Sequence, residues 1–168
     1  MGAAEQGADQ TSGRWLTVPR TLCFITHGND LLLMKRGEQR RVFPGRYNGV
    51  GGHLERDEDP LTGALREIQE ETGLSVTELS LRGISNIDAG HESGILLFVF
   101  TATAHSREVT KCDEGSLHWI AMNEVYNLPL VEDLALLLPR LFGKEKSDAL
   151  FFAHVYYDEH DQLVMTFA

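Results

Sequence analysis

The sequence predicts an α+β fold, a mixed β-sheet sandwiched between helices. Two observations carry this. Apolar segments of strand length recur from about Val18 to the C-terminus, whereas helical spacing of apolar residues is confined to residues 60–72 and 131–142. Strands and helices also follow one another irregularly, with no internal repeat and no composition shift that marks a linker.

In chain order, residues 1–14 are polar and poor in apolar side chains, so they are expected to be a disordered tail before one domain over 15–168. TLCFITHGNDLLLMKR reads as two strands joined by a turn at Gly28–Asp30. Residues 37–47 form a basic loop containing Gly and Pro. Asp59-Pro60 is a helix start, with Asp as N-cap and Pro at the first helical position, and Gly73 is a stop. Between them Leu61, Leu65 and Ile68 mark the expected buried face, with Glu67, Glu70 and Glu71 opposite. LSLRGISNI and SLHWIAM read as strands and GILLFVFTATA as a central one. VEDLALLLPRLF suggests a second helix that Pro139 limits or kinks. ALFFAHVYY and LVMTF, separated by DEHDQ, read as a closing hairpin.

Composition excludes several classes. No apolar run approaches the roughly 20 residues that span a bilayer, and the N-terminal stretch has no apolar core of a signal peptide. A cytoplasmic location is expected. Cys23 and Cys112 are the only cysteines, too few for a disulfide framework and without metal-ligand spacing. A net charge of −10 argues against a nucleic-acid polymer as partner. Against that background Lys35, Arg36, Arg40, Arg41 and Arg46 form a local basic cluster, read either as a solvated loop or as a small anion site such as one for phosphate.

The stretch REIQEE at 66–71 poses the chemical question. On a helix Glu67 neighbours both Glu70 and Glu71, and each exposed like-charged pair costs about 0.2–0.5 kcal/mol. Taken alone, such a run is a solvated helix face. A wider window changes that reading: residues 52–74, GHLERDEDPLTGALREIQEETGL, resemble the Nudix box G-x5-E-x7-R-E-U-x-E-E-x-G-U, with U an aliphatic residue. Gly52, Glu58, Arg66, Glu67, Ile68, Glu70, Glu71, Gly73 and Leu74 match every specified position. Carboxylate oxygens suit the hard cation Mg²⁺, which turns mutual repulsion into coordination. Bound there, it would neutralise a diphosphate and acidify an attacking water.

The resemblance implies the Nudix fold and hydrolysis of a nucleoside diphosphate linked to another group. It implies Mg²⁺ or Mn²⁺ held by Glu70, Glu71 and the Gly51 carbonyl. Glu67 is then either a further ligand or the base that activates water. Arg66 orients the carboxylates, so Glu67, Arg66 and Glu70 form the expected catalytic group. Gly52, Glu58 and Gly73 are structural positions of the motif.

Outside the box the chain is similar to the MutT-like oxidised-purine nucleoside triphosphate hydrolases. PGRYNGVGG at 44–52 resembles their PG-x-W-N-G-x-G-G, with Tyr47 in the Trp position. The match implies that Asn48 contacts a purine, although Asn-Gly is equally turn chemistry. Glu114, separated from Trp119 by GSLH, stands where a further acidic ligand is expected. LLLMKRG supplies Lys35 and Arg36 for phosphate contact. Glu132 and Asp133 stand where an acidic pair reads the base, or act as an N-cap. Leu130 or Val131 occupies the place of an expected Trp, a departure that bears on 8-oxo-purine selectivity. The implied substrate is a purine (deoxy)nucleoside triphosphate, 8-oxo-dGTP included, cleaved to monophosphate and pyrophosphate. Alternatives are ADP-ribose, an NDP-sugar, a dinucleoside polyphosphate, or nucleotide binding without turnover. Markers of the first and last hydrolase groups are absent: no Pro occurs between Pro60 and Pro129, and residues 89–93 contain no Tyr. The partner is a small nucleotide, and monomer and homodimer are both open.

Overall fold

The computed structural model describes residues 2–168. A short 3₁₀ turn at Ala3–Gln6 precedes strand β1 (Leu16–His27), which turns at Gly28–Asn29 into β2 (Asp30–Arg36). There follow β3 (Tyr47–Asn48), α1 (Pro60–Thr72), β4 (Val76–Ile87), β5 (Ser93–Ala104) and β6 (Gly115–Ala121). α2 (Leu134–Phe142) and the hairpin β7 (Phe151–Tyr157) and β8 (Leu163–Phe167) complete the chain. The α+β expectation holds: all strands join one mixed sheet in the order β3-β2-β1-β5-β4-β7-β8, with β6 on β2. β1–β5 and β4–β7 are parallel, and the remaining pairs are antiparallel. Among the described residues no helix is long and apolar enough to cross a membrane.

The central strands are apolar on both faces because both faces are covered. Leu22, Phe24, Leu31, Leu33, Leu97 and Val99 pack with Leu134, Leu137, Leu138 and Leu141 of α2. Their alternates Cys23, Ile25, Leu32, Met34, Phe100 and Ala102 pack with Ala64 and Ile68 of α1. Period-two alternation thus divides one apolar run between two cores.

The sheet also makes a gap for the site. β1 pairs with β2 only beside their turn, from Ile25↔Leu32 to His27↔Asp30, and then the two strands part. Residues 47–53 enter between them. β3 pairs with Met34 and Lys35 of β2, Val50 exchanges backbone bonds with Cys23 at 2.7 and 3.1 Å, and Gly52 O accepts from Thr21 N at 2.8 Å. This threading carries Gly51 and Gly52 across to α1.

α1 begins and ends as expected. Asp59 Oδ1 accepts from Leu61 N and Thr62 N at 2.8 and 3.1 Å, and the left-handed Gly73 donates to Gln69 O at 2.9 Å. Its buried face differs from the expected one. Leu61 and Leu65 are 47% and 45% exposed, while Ala64, Ile68, Glu71 and Thr72 are buried. Ala64, Ile68 and Glu71 stand at i, i+4 and i+7, so they share a stripe. The small Ala64 faces the sheet where a leucine was expected, and this rotation turns Glu71 inward and Glu70 outward. Of the second helix only Leu134–Phe142 is α-helical, and Pro139 falls inside it.

Candidate active site

Arg66 organises the carboxylates of α1. Its Nε and Nη2 donate to the two oxygens of Glu58 at 3.0 and 2.7 Å, a forked pair, and Nη2 also donates to His53 O at 3.0 Å. Nη1 reaches Glu67 Oε1 at 2.9 Å and Glu70 Oε2 at 3.0 Å. Glu58 is fixed further by the Glu55 amide at 2.8 Å. These bonds, those from Arg66 first, hold the Glu58 carboxyl below its usual range, and Glu58 in turn raises the Arg66 guanidinium.

Glu71 is 8% exposed and accepts the Gly51 amide at 2.8 Å. Burial pushes its carboxyl up to about 7, with the charges of Glu114 and Glu67 adding to the rise against the Gly51 bond and Arg36. Burial also raises Glu67, opposed by Arg66 and reinforced by Glu70 and Glu114. Glu114 therefore lies within electrostatic reach of both, although more than forty residues separate it from them in the chain. The side chain of Glu70 is 60% exposed, turned outward onto Arg66.

The glycine pair is required by this crowding. Gly51 has φ +140°, and a Cβ there would lie 2.4 Å from Thr21 O; one on Gly52 would lie 2.5 Å from Glu67 Oε1. Gly52→Ala must therefore displace Glu67. A shift of about 1 Å at a reacting group costs roughly 10²-fold, so kcat should fall by that order with the circular dichroism spectrum unchanged.

The basic cluster disperses. Arg36 pairs with Glu114, Lys35 lies 3.7 Å from Glu38, Arg40 donates to Asp113 O at 2.7 Å and Arg46 to Leu130 O at 3.1 Å. Asn48 ends β3, and its Oδ1 accepts the Gly49 amide at 2.8 Å. Tyr47 N donates to Pro129 O at 2.9 Å and Tyr47 O accepts from Val131 N at 3.0 Å, so β3 lies directly against the approach to α2. This brings Asn48 next to the segment bearing Glu132 and Asp133. Leu130 and Val131, standing where Trp was expected, are buried in the core under α2.

Asp133 does not act as a side-chain N-cap; its backbone carbonyl accepts from Leu137 N at 2.9 Å instead. The residue keeps some surface, yet its Oδ1 is sealed from solvent and has no hydrogen-bond partner. Burial pushes its carboxyl up to about 6, opposed by backbone bonds and reinforced by Glu132. Sequence reasoning passed over Arg20, whose Nε is likewise buried without a partner. Its signal was an arginine inside an otherwise uncharged strand segment, TVPRTLCFIT.

Among the described residues no three His, Cys, Asp or Glu side chains converge closely enough to hold a metal ion. Glu67 and Glu70 are drawn to Arg66, and Glu114 to Arg36. The donor set nonetheless fits a divalent cation. Burial and like charge both raise the free energy of ionised Glu67 and Glu71, and a hard cation offsets both. A cavity of about 570 Å³ opens at the other end of β1, among Thr26, Arg82, Thr103 and Phe142. It contains none of these groups, and the site follows the carboxylate chemistry rather than the volume.

Comparison with known proteins agrees with this geometry. The NUDIX domain model matches residues 16–141. An oxidized purine nucleoside triphosphate hydrolase of Mus musculus is 30% identical over 146 residues, 86% of this chain and 89% of that protein. An uncharacterized Nudix hydrolase, YvcI of Bacillus subtilis, is 28% identical over 66% of this chain and 70% of that protein. Among solved structures, a MutT protein from Bacillus halodurans superposes with a TM-score of 0.76 at 28% identity, covering 89% of this chain and 97% of that one. The chain belongs to the Nudix family. Within it, this is a MutT-like Nudix hydrolase, an enzyme acting on nucleoside diphosphate derivatives, a class that generally needs divalent cations.

Proposed function

We propose that the enzyme hydrolyses a purine (deoxy)nucleoside triphosphate, 8-oxo-dGTP included, to the monophosphate and pyrophosphate. The observation that carries this reading is the bridge between Tyr47 and Leu130, which ties β3, with Asn48 at its end, to the segment leading into Glu132 and Asp133. Asp133, pushed up to about 6, holds a sealed oxygen without a partner. An ionised carboxylate accepts from ring and exocyclic N–H groups, and its protonated form also donates, so Asp133 can pair with the polar edge of a purine in either state.

Gly51, Glu67, Glu70, Glu71 and Glu114 are the proposed ligands for Mg²⁺ or Mn²⁺, which would supply charge neutralisation on the phosphates and acidify water. Glu67 serves as ligand or takes the proton of the attacking water, and both roles require its ionised form. Arg66 holds Glu67 and Glu70 in register. Lys35 and Arg36 contact phosphate, Arg36 exchanging Glu114 for it. Glu132 supports Asp133. The domain spans residues 15–168 behind a short tail, and works in the cytoplasm as monomer or homodimer on a small nucleotide.

The test is a substrate panel with Mg²⁺: 8-oxo-dGTP, the four dNTPs, ADP-ribose and a dinucleoside polyphosphate, with products separated by chromatography. Preference for 8-oxo-dGTP is expected, reduced by Asp133→Asn through KM. Preference for ADP-ribose or the dinucleotide would discard the Asn48–Asp133 assignment.

A further inference from the structure

An antiparallel sheet with one face in water alternates apolar and polar residues, but β5 and β7 carry apolar side chains on both faces. On the α2 side Leu97, Phe151, Ala153 and Val155 are buried. On the other side Ala64 and Ile68 of α1 cover Cys23, Ile25 and Phe100, and beyond β5 neither α-helix covers the sheet. The registers Phe98↔Ile84 and Ile84↔Phe152 lay an apolar row across β5, β4 and β7 on that open side. Phe152 is 51% exposed, and Leu81 beside the row is 37% exposed. Trp15, 42% exposed, lies over Gly94 on the same side, where a Cβ would run into its ring. The flank of α1 that bears Glu67 faces Gly52, in the gap between β1 and β2, so the opposite flank looks over β5. That flank carries Leu61 and Leu65, which helical spacing groups with the buried Ile68 but which one copy of the chain leaves in water.

Together these side chains expose roughly 600 Å² of apolar surface, at the upper end of what a monomer tolerates in one patch. The polar row beside them, Asn86, His154 and Thr166, brings the face to about the 800 Å² that a standard interface takes from each partner. No strand position on it is Asp, Glu, Lys or Arg, in a chain with 25 acidic residues and a net charge of −10. Two such acidic chains repel over the rest of their surface and meet here without burying a charge. A different protein would be steered by charges that this face lacks, whereas an uncharged apolar face complements its own copy about a two-fold axis. We propose that the enzyme is a homodimer in which two copies pack this side of β5, β4 and β7 face to face. Packed sheets lie about 10 Å apart with side chains interdigitated, and Phe152, the most exposed aromatic on the face, is the anchor. The partner then covers Leu61 and Leu65, while the Glu67 flank of α1 stays open to substrate. The proposal holds whatever nucleotide the site takes.

The test is sedimentation velocity of the full chain from about 1 to about 100 μM, the range in which a moderate dimer forms and dissociates. Wild type is compared with Phe152→Lys and Leu65→Lys, and with Leu136→Lys as a control, since Leu136 is 41% exposed on α2 at the opposite face. All three side chains are exposed in a single copy, so each variant should keep its circular dichroism spectrum, and either face variant suffices if the other does not. Wild type is expected to sediment at twice 18.8 kDa. Phe152→Lys and Leu65→Lys should weaken self-association at least about thirtyfold, as loss of an interface anchor does, and Leu136→Lys should leave it unchanged. A wild-type monomer throughout overturns the proposal and leaves the face to another protein. A dimer that both face variants retain, or that the control loses equally, overturns it by placing the interface elsewhere.

Discussion

Glu67→Gln lowers kcat by about 10²- to 10⁴-fold, the range for loss of a positioned acid–base group, and leaves the melting temperature close to that of wild type. The expectation follows from geometry. Glu67 is held by Arg66 at 2.9 Å in the space that the missing Cβ of Gly52 leaves free, so a glutamine of the same shape fits there but carries no charge. Its amide meets Arg66 as a neutral acceptor and cannot take a proton or bind a hard cation well. Steady-state kinetics with saturating Mg²⁺ give the measure. Turnover within threefold of wild type would remove Glu67 from the chemistry.

Glu71→Gln should do two things in opposite directions: abolish most activity and stabilise the metal-free protein above neutral pH. The folded carboxyl, at about 7, lies above its ordinary value of 4.5, chiefly through burial. Below about 4.5 it is protonated in folded and unfolded chains alike, so nothing is lost. Between those values the unfolded chain ionises first, and stability falls as pH rises. Above 7 the full penalty persists, on the order of 3 kcal/mol. Removing the charge lifts that penalty, so at pH 8 and in EDTA the variant should melt about 5–10 °C higher than wild type. The gap should close toward pH 4.5. Mg²⁺ then raises the wild-type melting temperature more than the variant's, because only a state that binds the ion gains from it. A variant less stable than wild type at pH 8 would mean that the ionised carboxylate is a favourable contact, contrary to this account.

Much of this was legible in the sequence, where the signal is local. Asp59-Pro60 and Gly73 bound α1 as the capping chemistry requires. The apolar run at 94–104 became the strand between β1 and β4, and the final hairpin formed where its turn residues stand. The resemblance to the Nudix box singled out Glu58, Arg66, Glu67, Glu70 and Glu71, and the structure ties Glu58, Glu67 and Glu70 to Arg66.

What was not legible depends on how elements dock. Ala64 rather than Leu61 or Leu65 faces the sheet, so Glu71 is buried with Ile68 while Glu70 turns out. No periodicity rule prefers an alanine to two leucines; the choice is made by the close passage of α1 over the core at Cys23 and Val50. Asp133 looked like an N-cap because of its position before a helix, but the backbone there is already helical and leaves the side chain no cap geometry. Arg20 gave only a weak signal. Its buried Nε depends on what packs around β1, which no single strand reveals.

The central claim is that the carboxylates of REIQEE, with the Gly51–Gly52 floor, cleave a nucleoside triphosphate between its first and second phosphates. The most direct measurement is quantitative product release from 8-oxo-dGTP by wild type and Glu67→Gln, with Mg²⁺ and with EDTA. The account predicts monophosphate and pyrophosphate in equal amounts from wild type with Mg²⁺. It predicts almost none in EDTA or from the variant. Release of inorganic phosphate with the nucleoside diphosphate, or turnover that survives both EDTA and Glu67→Gln, would contradict it.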